Sequence, residues 1–219
     1  MKVIAAPGPV SYPIIAATMD IKDIDIEFSK EGIADVVLDS TVSLVKRNLN
    51  IDYVTIKGLS RVYPKIGYKI GMTRKGGAAD VIFRAYIDIS GKTVEIKYYN
   101  DMSSMMDALN GREIDTVVAP AMMSGGETLE SYLGSVGVYV PGSCGAAVFN
   151  NSDDFIKAYN HGIDLIKNDP EKTADYILSK LPMKFPREFI IETMRNSELN
   201  VHKPDDYKKF SEIVRKYSE

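Results

Sequence analysis

The chain has 219 residues, 45% hydrophobic and 26% charged, with a formal net charge of −3; it can bury a sizeable core as one large domain or as two small lobes. The mild acidity argues against binding driven by phosphate neutralisation, so no nucleic-acid partner is expected. One cysteine, Cys144, and two well-separated histidines, His161 and His202, exclude an intrachain disulfide and leave no metal-ligand pattern, so neither metal nor cofactor is expected.

The first strand starts at Lys2 and is broken by Pro7 and Gly8. It is too short for the apolar region of a secretion signal. No run of about 18 apolar residues follows, so no membrane span is expected. As written, the chain reads as cytoplasmic, and a leader removed from it would place it outside the cytoplasm. A helix is predicted over 12–19, then a strand over 24–28 that alternates apolar and acidic residues. Gly32 and Asp35 open an apolar strand that ends at Asp39, Ser40 and Thr41.

After an outgoing crossing at 59–67, the same plan recurs. A strand over 68–73 leads to the loop Arg74-Lys75-Gly76-Gly77 and a helix over 78–86. An alternating strand over 94–98 precedes a helix capped near Asp101, with Met105, Met106 and Leu109 on one face and Gly111 past its end. An apolar strand over 112–120 follows. The methionines at 102, 105 and 106, and the pair Met122-Met123, read as core filling. A return strand is expected over 138–149.

From Ser152 the pattern is helical only. Ser152 is expected to cap a helix striped by Phe155, Tyr159, Ile163 and Ile166. Asp169-Pro170, Pro186 and Pro204 start three more, and this coda is expected to pack on the first lobe. Strand–helix alternation in two related units predicts an α/β fold of two lobes with parallel-rich sheets. Lobe 1 takes residues 1–66 and 143–219, and lobe 2 takes 67–142. A single doubly wound sheet is the alternative.

The two strands at 32–38 and 111–118, the glycine loop after residue 73, and the stretches at 155–159 and 166–174 resemble the type II periplasmic-binding-protein-like superfamily. They are most similar to its nitrate, sulfonate and thiamine-precursor binding group, and to a small archaeal branch of unknown function related to solute-binding lipoproteins. The resemblance covers nearly the whole chain through short motifs. It implies a solute-binding role related to ABC transporters, with a small-molecule ligand and a transporter or regulatory partner.

In open α/β sheets ligands bind beyond the carboxyl ends of the strands. That rule nominates Gly8, Ser11 and Tyr12 after the first strand, and Asp39, Ser40 and Thr41 after the third. In the second unit it nominates Thr73, Arg74, Gly76 and Gly77, then Pro120 and Met122, with Ser143 in the return crossing. Helix starts at these loops suit a carboxylate, sulfonate or phosphate. Thr73 supplies a hydroxyl and Arg74 a bidentate fork, while Gly76 and Gly77 let the backbone approach closely. The same residues have plainer readings. Ser40 and Thr41 are good caps without a ligand, Arg74 and Lys75 are ordinary solvated cations, Gly76-Gly77 ends a turn, and Tyr12 is either core or cleft wall. Cys144 reads as a buried structural thiol at the hinge.

Three functions are compatible with this reading. The first is a binder of a small anionic organic solute in an inter-lobe cleft, with no chemistry of its own. The second is a cytoplasmic enzyme on the same scaffold, similar to menaquinone-pathway enzymes, for which Asp39 is the one strand-end carboxylate available. The third is an effector-sensing regulatory domain acting on a separate protein.

Overall fold

The computed structural model describes residues 1–122 and 125–218. Met123, read above as core filling, lies outside them. The chain opens with β1 (Lys2–Ala5), a 3-10 turn at Pro9–Ser11, α1 (Tyr12–Ala17), β2 (Asp25–Glu27), β3 (Val36–Ser40), α2 (Thr41–Lys46) and β4 (Tyr53–Lys57). It continues through β5 (Ser60–Tyr63), β6 (Lys69–Met72), α3 (Ala78–Ile89), β7 (Glu95–Tyr98), α4 (Met102–Asn110), β8 (Thr116–Pro120), β9 (Glu127–Thr128) and α5 (Leu129–Ser135). It ends with β10 (Cys144–Val148), α6 (Ser152–Asn168), α7 (Pro170–Lys180), α8 (Arg187–Arg195), β11 (Glu198–His202) and α9 (Lys208–Tyr217).

Two sheets result. One runs β11-β4-β10-β3-β1-β2 and the other β7-β6-β8-β5-β9. In the first, β1 pairs parallel with β2 and β3, with Val3 opposite Val36. In the second, β6 pairs parallel with β7 and β8, with Ile70 opposite Thr116. The apolar strands β3 and β8 are interior, as their two-sided burial requires. The connecting strands add antiparallel pairs: β10 inserts between β3 and β4, and β5 pairs with β8.

The internal repeat has a physical basis in two aspartates. The amide of Lys2 donates to Asp35 Oδ2 at 2.7 Å, and Asp35 N returns to Lys2 O at 2.9 Å. In the second sheet Lys69 N donates to Asp115 Oδ2 at 2.8 Å, and Asp115 N returns to Lys69 O at 2.8 Å. Each aspartate therefore aligns the start of its central strand with the strand beside it. These amide donors hold both carboxyls below the ordinary range.

Several expectations need correction. Residues 60–63 lie inside the stretch read as an outgoing crossing. They form β5 and pair in the second sheet, so the chain leaves the first sheet near Gly58 rather than after residue 66. The segment after Ser152 is not helical throughout, because β11 pairs with β4 at the sheet edge. The last helix accordingly begins at Lys208 rather than at Pro204. Asn151, at φ 58°, precedes α6 without a side-chain cap, and Ser152 Oγ instead meets Tyr53 OH at 2.9 Å.

Burial falls into connected regions. One face of the first sheet packs on α1, α6, α7 and α8 through Tyr12, Ile14, Phe155, Tyr159 and Ile177, all essentially unexposed. Gly162 brings α6 onto α1 so closely that an added Cβ would sit 1.7 Å from Pro13 O. A second core runs from Val37 and Val42 in the first half to Met72, Val81 and Phe83 in the second, and includes Phe210 and Val214 of α9. Helix α9 lies against both α2 and α3. The coda thus packs on both halves, not on the first alone. A smaller cluster fills the space under α4 around Met105 and Ile114.

Candidate functional site

A cavity of about 310 Å³ lies where carboxyl ends of strands from both sheets meet. The first half lines it with residues 6–10, Asp39, Ser40 and Leu59, the return strand with Cys144. The second half contributes Met72, Thr73, Arg74, Gly77, Ala78, Ala79 and Val118. A larger depression of about 500 Å³ opens between Asp52, Phe149 and Lys203. It lies at the opposite, amino end of β3, because Phe149 N bonds Asp35 O there.

The wall from the second half is built on the start of α3. Gly77 supplies no capping side chain, so the N–H groups of Ala78 and Ala79 have no intrahelical acceptor. Asp80, fully buried, fixes the preceding loop. Its Oδ2 accepts from Gly76 N at 2.8 Å and Arg84 Nε at 3.0 Å, and its Oδ1 from Tyr98 OH at 2.6 Å. Burial and the neighbouring Asp80 charge push the Tyr98 phenol up to about 12. Arg74 lays its stem over Gly77, where an added Cβ would meet Arg74 Cδ at 3.3 Å. Its guanidinium has no hydrogen-bond or ion-pair partner among the described residues. A free cation and open helix amides therefore share one side of the cavity.

The wall from the first half carries Asp39, 7% exposed. Oδ1 accepts from Ser40 N at 2.8 Å, and Oδ2 from Ser43 Oγ at 2.6 Å and Arg47 Nη1 at 3.4 Å. Ser40 lines the cavity while its hydroxyl oxygen caps α2 by accepting from Ser43 N at 3.1 Å. Cys144 is buried, and burial, followed by the charges of Asp39 and Glu130, pushes its thiol well above the ordinary range. That keeps it protonated and unreactive.

Of the nominated residues, Gly8, Asp39, Ser40, Thr73, Arg74 and Gly77 are brought together. The others take different roles. Ser11 is buried and donates from Oγ to Gly8 O at 2.8 Å, holding the loop behind the wall. Tyr12 is core: α1 is covered along its whole length, and burial pushes the phenol up. Thr41 is committed to the return crossing, donating from N to Ser143 O at 3.1 Å and from Oγ1 to Gly142 O at 2.6 Å. Gly76 takes the left-handed turn before α3 at φ 73° and does not line the cavity, and its carbonyl accepts from Lys46 Nζ at 3.0 Å. Pro120 ends β8 and Met122 N folds back on its carbonyl at 2.7 Å, so neither reaches the cavity. Ser143 sits in the crossing, accepting from Leu59 N at 3.0 Å and donating to Glu130 Oε1, which also accepts from Gly58 N at 2.9 Å. The apolar liners Leu59, Met72 and Val118 were not anticipated, because apolar residues at strand ends read as core.

Among the described residues no group of His, Cys, Asp and Glu is placed to hold a metal, and no helix is long and apolar enough to cross a membrane. The family described as protein of unknown function, DUF3834, matches residues 1–200. The chain belongs to the DUF3834 family. No protein of curated function matches the sequence. Among solved structures, the DUF3834 chain is similar to a Thermoplasma volcanium protein provisionally named as a nitrate transport protein. The two are 24% identical with a TM-score of 0.75, over 100% of this chain and 91% of the other. It is also similar to an ABC transporter protein from Parabacteroides distasonis, at 11% identity and a TM-score of 0.63, over 99% and 92% of the two chains. The DUF3834 chain thus has a two-lobed, periplasmic-binding-protein-like α/β fold.

Proposed function

We propose that this DUF3834 protein binds a small anionic organic solute in the cavity between its sheets and performs no chemistry on it. The observation that carries the proposal is the unpartnered Arg74 beside the open amides of Ala78 and Ala79, on a cavity lined from both sheets. Helix amides and a free guanidinium are a standard receptor for a carboxylate or sulfonate. The type II assignment and the boundaries between the two lobes belong to the same proposal, with the crossings placed at residues 58–59 and 141–143. A transporter or regulatory protein would read the occupied state. An enzyme on this scaffold has less support, since Asp39 is tied to Ser43 and Arg47 and Cys144 is held protonated.

The test is a thermal-shift screen with short carboxylates and sulfonates on wild type and Arg74→Ala. An anion at a hundredfold excess over its Kd adds about 2.7 kcal/mol to the folded state, or roughly 5–10 °C for a chain of this size. Arg74→Ala should abolish most of that shift while leaving the unliganded melting temperature in place. If no anion in the screen stabilises wild type, the proposal fails.

A further inference from the structure

The positive wall fixes one end of the solute, and the facing wall carries information about the other. Asp39 is 7% exposed and lines the cavity, so its carboxylate is largely shielded from solvent. An ionised carboxylate has about four acceptor sites. Ser40 N occupies one on Oδ1, and Ser43 Oγ and Arg47 Nη1 occupy two on Oδ2. A site on Oδ1 is left for a further donor. Arg47 only partly neutralises the charge: its contact at 3.4 Å is longer than the roughly 2.7–2.9 Å of a strong charge-assisted bond. Its Nη2 is committed to Lys30 O at 2.6 Å.

A simple anion would be drawn to Arg74 and repelled by Asp39. A purely apolar acid would leave the open acceptor site on Asp39 unmatched in a low-dielectric wall, which is costly. Besides the two charges and the hydroxyls of Ser40 and Thr73, the lining is largely apolar, with Leu59, Met72, Val118 and Ala78. The volume of about 310 Å³ holds on the order of ten heavy atoms, at about 30 Å³ per water-sized group. A nitrate- or sulfate-sized ion would fill only a fraction of it.

Resting on the anion-binding reading, we infer that the solute is a small organic zwitterion, with its acid group at Arg74, a protonated amine donating to Asp39 Oδ1, and a short apolar body between. Asp39 is thereby the specificity-determining residue, selecting the amino form of an acid over its deaminated counterpart.

Isothermal titration of the purified chain with matched pairs tests this. The probes are leucine against 4-methylpentanoate, phenylalanine against 3-phenylpropionate, and 4-aminobutyrate against butyrate. In at least one pair the amino member should bind tenfold or more tightly than its partner. Asp39→Asn should erase that preference by weakening only the amino member, whereas Arg74→Ala should weaken both. If the deaminated members bind equally well or better, or if Asp39→Asn leaves the preference intact, the inference is overturned and Asp39 is a brace for α2. The anion-binding reading survives that result. If no member of any pair binds, the inference falls, and the wider anion screen decides the anion-binding reading separately. Should Asp39→Asn fail to fold, the wild-type pairs decide alone.

Discussion

Replacing Gly162 by alanine separates two physical effects that usually act together. On helix propensity alone the change should stabilise α6 by about 1 kcal/mol, since glycine inside a helix is unfavourable. Packing predicts the opposite. The new Cβ would lie 1.7 Å from Pro13 O, 2.6 Å from Pro13 C and 3.0 Å from Pro13 Cα, all backbone atoms that no rotamer can move. To regain ordinary contact at 3.4 Å, α6 and α1 must separate by about 1.7 Å. That shift strips contact from Phe155, Tyr159 and Ile163, all buried against the first sheet. Overpacking costs about 1–3 kcal/mol and sometimes more; a clash with backbone belongs at the upper end, about 3 kcal/mol, and with propensity offsetting about 1 kcal/mol a net loss of about 2 kcal/mol is expected. At roughly 2–4 °C per kcal/mol, Gly162→Ala should melt about 4–8 °C below wild type by circular dichroism. An unchanged or raised melting temperature would show that the contact between α1 and α6 is not as tight as described.

Two further predictions concern titratable groups. Cys144, buried and with its thiol pushed upward, should stay unmodified by a colourimetric thiol reagent at pH 8 in the native protein and react fully once unfolded; rapid native labelling would contradict its burial. Asp35 and Asp115 have folded-state values below the ordinary carboxylate range. The stability they contribute is therefore present above about pH 4, the unfolded value, and is lost as the pH falls through the lower folded value. Denaturation followed from pH 6 to pH 2 should show a shallower acid loss in Asp115→Asn than in wild type; identical acid limbs would remove the aspartate from the account.

The repeat was legible because each copy advertises itself twice, in a glycine-punctuated apolar strand and in the aspartate that opens it. Each of those two aspartates bonds the equivalent neighbouring strand of its own sheet, β1 or β6, in the same way, so the pattern in sequence reflects a pairing in space. Less was visible where tertiary context decides. Strand β11 follows a helix and carries no strong strand signal; the free edge of β4 supplies its hydrogen bonds. The short strands β5 and β9 likewise exist because β8 and β5 offer partners. In the candidate site, the polar members at Asp39, Ser40, Thr73 and Arg74 followed from the strand-end rule. Ser11, Tyr12 and Thr41 obey the same rule and yet are consumed by the interior. The rule gives a position along the chain but not the direction of a side chain. The apolar wall at Leu59, Met72 and Val118 was hidden for the complementary reason, as nothing in one sequence separates an aliphatic residue facing a cavity from one facing the core.

Helix α9 has a mechanical meaning. Phe210 and Val214 are wedged into packing shared by Val42 on one side and Val81 on the other, and Arg84 Nη2 holds the carbonyl of Tyr217 at 2.6 Å. The seam between the halves is stitched by the last turns of the chain, opposite in sequence to the residues that cross between sheets. Any change in the spacing of α2 and α3 must therefore disturb the packing of α9, which touches both.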